Sequence, residues 1–139
     1  MSYADTFIRV SEDCPSETGI VPVSGRTLPP AHVIQYHLLA ESPYRYTHEE
    51  LLYEVHVRHK AIPEEERETR REELYTELFS KKHPCLRASM LPKKFGWGLH
   101  YNAEGKIALY ARESPEYDYY TSSDEAGVKL LNAMRNKRG

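Results

Sequence analysis

The sequence predicts an α+β fold, a small antiparallel sheet of about four strands covered by about four helices. Two observations support this prediction. Before residue 83 most apolar residues repeat at helical spacing, whereas from residue 85 to residue 112 they alternate as in strands. The chain has 139 residues, 40% of them hydrophobic and 29% charged, which is typical of one folded domain over residues 1–139.

The first element is a strand at residues 6–11, where Phe7 and Val10 lie among residues that favour β structure. Residues 12–30 then contain two glycines and four prolines, which interrupt regular structure. We expect a long loop over this segment. Loops of such length within a compact domain often carry function.

A helix is expected at residues 31–41, where apolar side chains fall on two helical rows. Pro30 precedes its first turn and Pro43 follows its last turn, and proline is compatible with both positions. A buried strand is the alternative, because the periodicity of so short an apolar segment does not exclude one.

Two further helices are expected at residues 47–60 and 64–82. The first opens with Thr47 and Glu50, a capping-box pair in which each side chain accepts a hydrogen bond from the other residue's amide. The second follows Pro63, and proline favours the first turn of a helix. Its first half has no apolar residue, so we expect that half to project into water.

Three strands are expected at residues 85–90, 96–102 and 106–112, because apolar side chains alternate along each segment. A short connection containing Gly105 joins the last two strands, and glycine can adopt the positive φ that such a turn requires. The antiparallel hairpin over residues 96–112 is therefore the most clearly indicated element.

The chain is expected to end in a tyrosine-rich loop, which contains Tyr117 and Tyr120, and a helix at residues 124–136. Ser123 or Asp124 would cap this helix. The apolar residues that follow keep the spacing of one helical face, which indicates a helix packed on the sheet.

Composition disfavours two classes of protein. The formal net charge of −2 gives no sign of binding to nucleic acid through many phosphate contacts. No segment approaches the roughly 20 apolar residues of a membrane span, and the first residues show no signal-peptide pattern. We therefore expect a cytoplasmic protein, away from membranes, with Cys14 and Cys85 reduced, although a disulfide between them is the alternative.

One pair of histidines is a weak candidate for a metal site. His56 and His59 lie three residues apart on a predicted helix, so both rings could reach one ion. A metal ion in a protein needs three or four ligands, and the others would come from His37, His83 or Cys85. Histidines packed at the boundary of a core explain the pair without a metal, so we predict neither a metal nor a cofactor.

Cys85 together with His83 or His100 is a weak candidate for a catalytic pair, since a thiolate nucleophile needs a base beside it. A structural cysteine is the more common role of such a residue. The hypothesis of a small enzyme is therefore the alternative, and the prediction leans towards a protein without catalytic activity.

Cations and aromatic residues are mixed around the predicted hairpin, as in many small binding sites. The predicted ligand-binding residues are Arg87, Lys94, Trp97, His100 and Tyr110. We expect them to line a cleft where the long loop, the Cys85 strand and the hairpin converge. This favours a ligand-binding or protein-interaction domain, whose partner is a small molecule or a protein and whose oligomeric state stays open. Binding of single-stranded nucleic acid on the aromatic hairpin is a further alternative, which the near-neutral charge disfavours.

Several segments carry a resemblance that extends over nearly the whole chain. They are TFIRVSEDCP at 6–15, IQYHLL at 34–39, PCLRAS at 84–89, KFGWGLH at 94–100 and NAMRNKR at 132–138. Together they resemble a family of small bacterial proteins that is catalogued as a domain of unknown function. The resemblance implies a bacterial single-domain protein and brings no catalytic residue, ligand or partner. It marks Cys14 and the segment around Cys85 as the first places to look for a site.

Overall fold

The computed structural model describes residues 3–136, in which a four-stranded mixed sheet is combined with six α-helices. The strands are β1 (Thr6–Arg9), β2 (Trp97–Tyr101), β3 (Ile107–Ala111) and β4 (Lys129–Asn132). The helices are α1 (Ala31–Glu41), α2 (His48–His59), α3 (Glu64–Thr69), α4 (Arg71–Phe79), α5 (Met90–Lys94) and α6 (Pro115–Ser122). The α+β class predicted from the sequence is confirmed. None of these helices is both long enough and apolar enough to cross a bilayer.

The strands follow the order β3-β2-β1-β4 across the sheet. The predicted hairpin is confirmed, because β2 and β3 pair antiparallel with Leu99 opposite Leu109. Gly105 closes the turn with a φ of 78°. β1 is antiparallel to β2, but β4 runs parallel to β1, so the sheet is mixed and the expectation of a purely antiparallel sheet is wrong.

Different helices pack on the two faces of the sheet. One face presents Ile8, Leu99 and Tyr101 to the main hydrophobic core beneath α1 and α2. The other face presents Phe7 and His100, and α6 lies over it with its tyrosines. Side chains alternate along each strand, so neighbouring residues of β2 belong to different faces.

A second, smaller core holds α2 and α4 together. It consists of Tyr53 and Val57 from α2 with Leu74 and Leu78 from α4. The capping box predicted at the start of α2 is confirmed, since the Thr47 hydroxyl accepts from the Glu50 amide and the Thr47 amide donates to the Glu50 carboxylate. This core fixes the orientation of α4 relative to α2.

The helices expected at residues 31–41 and 64–82 have different outcomes. Residues 31–41 form a helix as predicted, and the alternative of a strand is wrong. The helix expected at 64–82 divides into α3 and α4 at Arg70, whose φ of −111° and ψ of 20° interrupt the helical backbone. Arg70 stabilises the break through ion pairs with Glu66 and Glu73 at 3.3 and 3.0 Å.

The strand expected at residues 85–90 is wrong. Leu86–Ala88 form a 3-10 turn, and the Ser89 hydroxyl then accepts from the Leu91 amide to begin α5. Leu86 and Leu91 are the residues of this segment that enter the core. A short alternating pattern fits this turn-and-helix arrangement as well as a strand, because too few residues are involved to distinguish them.

The final helix expected at residues 124–136 is also wrong. A 3-10 turn at Asp124–Ala126 ends at Gly127, which has a φ of 63°, and β4 follows. Pairing with β1 overrides the helical spacing of the apolar residues, because tertiary contacts outweigh weak local propensity.

The tyrosine-rich segment that was expected to be a loop forms α6 instead. Ser114 caps the helix by accepting from the Tyr117 amide, and Pro115 occupies the first turn. Tyrosine rings on α6 then pack against the sheet, which compensates for the modest helix propensity of tyrosine.

Candidate functional site

Only His100 and Tyr110 of the five predicted ligand-binding residues lie together, with their rings 6.5 Å apart on the face that α6 covers. Trp97 belongs to the opposite face and packs on α1. Lys94 is exposed at the end of α5, and the Arg87 Nε donates to a β4 carbonyl at 2.6 Å. The structure therefore does not assemble these five side chains in one cleft.

His100 belongs to a hydrogen-bonded chain that closes the α6 face. Its Nδ1 lies 2.8 Å from the Tyr44 hydroxyl, which lies 2.7 Å from the Tyr110 hydroxyl. The Tyr120 ring stacks on the imidazole at 4.2 Å. Burial lowers the pKa of His100, and burial together with the Tyr110 hydroxyl raises the pKa of Tyr44. These neutral groups connect β2, β3, α6 and the turn before α2. We therefore interpret this row of hydrogen-bonded side chains as structural.

Cys85 and His83 line one cavity of about 250 Å³ beside α1. The His83 Nε2 donates to the Leu78 carbonyl at 2.6 Å. Both Cys85 and Cys14 are free thiols. His100 lies on the α6 face of the sheet, whereas the Cys85 thiol lies near the opposite face, where it contributes to a raised pKa of Tyr101 that is caused mainly by burial.

The two histidines expected as metal ligands, His56 and His59, have other roles in α2. The His59 Nδ1 donates to the Pro29 carbonyl at 3.1 Å. Burial lowers the pKa of His56. In the part of the chain that the structure describes, no three histidine, cysteine or acidic side chains are arranged to hold a metal ion.

A cavity of about 600 Å³ opens along α2 and α4, and we call it the arginine pocket. It is larger than the groove of about 400 Å³ beside α1. The residues that line the arginine pocket are Arg45, Tyr46, Glu50, Tyr53, Glu54, Arg71 and Tyr75.

Three elements position these side chains. The segment before α2 lies along β3, because Ile107 exchanges backbone hydrogen bonds of 2.9 and 3.0 Å with Tyr44 and Tyr46. This pairing fixes Arg45 between the two tyrosines. The small core between α2 and α4 sets the separation of the other two walls, which carry Tyr53 and the start of α4.

The cations of the arginine pocket lie over aromatic rings. The guanidinium carbon of Arg71 is 5.7 Å from the centre of the Tyr53 ring, and that of Arg45 is 5.6 Å from the Tyr46 ring. The rings of Tyr53 and Tyr75 are 5.1 Å apart. Cation–π attraction holds each guanidinium against a ring and leaves its N–H donors available at the edge.

The carboxylates of the arginine pocket already have partners, whereas its guanidinium groups do not. Glu50 accepts from the amide of Thr47, and Glu54 pairs with Arg58 at 3.4 Å. Neither guanidinium group of the arginine pocket forms an ion pair or a hydrogen bond with any residue of the described chain. Their donors are therefore available to an anionic ligand.

Comparison with known proteins shows to which family the chain belongs. One family model, described as a family of unknown function, matches residues 1–139. The chain belongs to DUF6157. The resemblance inferred from the sequence segments is thus confirmed. Neither a curated protein nor a solved structure matches this DUF6157 chain.

Sequence reasoning missed the arginine pocket of this DUF6157 chain. A signal was present, since Glu50 and Tyr53 are three residues apart on α2, and Arg71 and Tyr75 are four residues apart on α4. The same spacing fits two solvated helix faces. Only the packing of α4 on α2 shows that the two faces meet.

Proposed function

We propose that this protein is a small-molecule-binding domain without catalytic activity, and that it binds an aromatic carboxylate in the arginine pocket. One observation carries the proposal. Two guanidinium groups that lack a charged partner in the described chain lie over tyrosine rings in a cavity of about 600 Å³. Pockets for small organic ligands commonly have volumes of about 300–1,000 Å³.

The chemistry of the lining favours a flat anion. The planar guanidinium presents a fork of donors that matches the two oxygens of a carboxylate. The rings of Tyr53 and Tyr75 offer apolar faces for an aromatic ring. Burial raises the pKa of Tyr75, so its hydroxyl is protonated at neutral pH and can donate a hydrogen bond to the ligand.

The proposal assigns the arginine pocket binding alone and no covalent step. The proposed setting is the bacterial cytoplasm. Two free thiols, Cys14 and Cys85, agree with a reducing compartment.

The proposal is tested by NMR titration with benzoate and with benzamide, which has the same shape but no charge. Benzoate should shift the Nε–H signals of Arg45 and Arg71 with a dissociation constant of about 1 mM, because a ligand of this size that gains roughly 0.5 kcal/mol per heavy atom binds with about 4–5 kcal/mol. Benzamide should bind at least ten times more weakly. Equal binding of both, or tighter binding of benzylamine, would contradict the proposal.

A matched pair of variants locates the site. R71Q should weaken benzoate binding by at least tenfold, because it removes a charge and the donor fork. R26Q changes an exposed arginine in the long loop and should leave binding unchanged. Equal effects of R71Q and R26Q would place benzoate outside the arginine pocket.

A further inference from the structure

The groove of about 400 Å³ beside α1 adjoins the arginine pocket, and we call it the α1 groove. The Tyr46 side chain lines both cavities. The ion pair between Glu54 and Arg58, at 3.4 Å, lies at the same boundary, since Glu54 lines the arginine pocket and Arg58 lines the α1 groove. The two cavities are therefore separated by no more than one layer of side chains.

The walls of the α1 groove that come from α1 and from the end of the long loop are apolar. Their apolar residues are Leu28, Pro29, Val33, Ile34 and Leu38. The His59 Nδ1 donates to the Pro29 carbonyl, which ties the loop wall to α2. Leu28 on that wall is 48% exposed, so an apolar group placed in the α1 groove would remove its surface from water.

The charged side chains that line the α1 groove already have partners. Arg58 pairs with Glu54, and the Glu41 carboxylate lies 3.4 Å from the His37 Nδ1. The guanidinium donors that are available to a ligand lie instead in the arginine pocket. A ligand that fills both cavities must therefore be anionic at one end and apolar at the other.

We propose that the ligand of this protein is an aromatic carboxylate with an apolar extension of several carbon atoms, and that the extension lies in the α1 groove. This inference rests on the proposed function, because the arginine pocket has to hold the carboxylate. Benzoate would occupy only the first of the two adjoining cavities, which have volumes of about 600 and 400 Å³. Each methylene group of an extension that is fully buried strengthens binding about fourfold.

The test compares benzoate with 4-butylbenzoate, which keeps the carboxylate and adds a butyl chain, by NMR titration. 4-Butylbenzoate should bind at least ten times more tightly, and its butyl protons should show nuclear Overhauser effects to the methyl groups of Leu28 and Val33. Equal affinities of the two ligands, or butyl contacts only outside the α1 groove, would overturn this inference and leave carboxylate binding in place. Failure of both ligands to bind would overturn the proposed function, and this inference with it.

Variants of the long loop separate the two ends of the ligand. L28S removes apolar surface at a half-exposed position, so it should weaken 4-butylbenzoate binding at least threefold and leave benzoate binding unchanged. V23S changes a side chain that is 86% exposed and lies outside the α1 groove, and it should alter neither affinity. R71Q should weaken both ligands by the same factor, because they share the carboxylate. Equal affinities of L28S and the wild type for 4-butylbenzoate would overturn the inference.

Discussion

At the scale of single residues, His48 links stability to pH. Its pKa is 6.5 in the unfolded chain and about 4 in the folded protein, because burial disfavours the charged ring. Between these values the unfolded state binds more protons, so the stability of the fold rises with pH. The effect is absent above the unfolded pKa and develops as pH falls towards 4. Glu49, Lys81, Lys82 and His83 line the same cavity as His48, between the start of α2 and the segment after α4.

We expect H48F to remove this contribution. Between pH 6.5 and pH 4 the wild-type protein should lose roughly 3 kcal/mol of unfolding free energy more than H48F does, as the shift in pKa requires. Urea denaturation measures the difference. H37Q, at an exposed position of α1, should keep the wild-type slope. Parallel pH profiles for H48F and the wild type would show that His48 titrates normally.

The role of Tyr44 can also be tested by a single substitution. Its hydroxyl joins the His100 Nδ1 to the Tyr110 hydroxyl, at 2.8 and 2.7 Å. Y44F should lower the unfolding free energy by about 1–3 kcal/mol, because the buried imidazole nitrogen loses its partner. Y119F removes a hydroxyl from an exposed ring and should change it by less than about 0.5 kcal/mol. Urea denaturation that showed equal losses for both variants would contradict the structural role of Tyr44.

At the scale of elements, the local sequence was sufficient to predict a helix or a hairpin where a cap or a turn specifies it. The capping box of Thr47 and Glu50 and the hairpin turn at Gly105 are both readable within a few residues. β4 could not be found in this way, because its strand structure depends on pairing with β1, which is more than a hundred residues away. α6 was missed for a related reason, since its rings gain their contacts from the sheet.

The contact between α6 and the sheet gives an element-scale prediction. A Cβ atom on Gly98 would lie 2.7 Å from ring atoms of both Phe7 and Tyr117. G98A should therefore destabilise the protein by about 1–3 kcal/mol through overpacking. G25A, where no atom lies within 4 Å, should be neutral or slightly stabilising. Thermal unfolding compares the two, and a G98A protein as stable as G25A would show that α6 does not pack closely on this face.

At the scale of the whole molecule, the sequence predicted the class of fold but not the assembly of a site. The alternation along β2 placed His100 and Trp97 on different faces, and this alone separates two of the predicted ligand-binding residues. The arginine pocket combines Arg45, which precedes α2, with Arg71, which begins α4. No short-range pattern links these two positions, because the packing of α4 on α2 brings them together.

The central claim is that the arginine pocket binds an aromatic carboxylate, and a crystal structure of the protein with benzoate tests it most directly. We predict carboxylate oxygens about 2.7–2.9 Å from guanidinium nitrogens of Arg45 or Arg71, with the ring of benzoate against Tyr53 or Tyr75. Benzoate bound instead beside His100 and Tyr110, or an arginine pocket that stays empty at saturating benzoate, would contradict the claim.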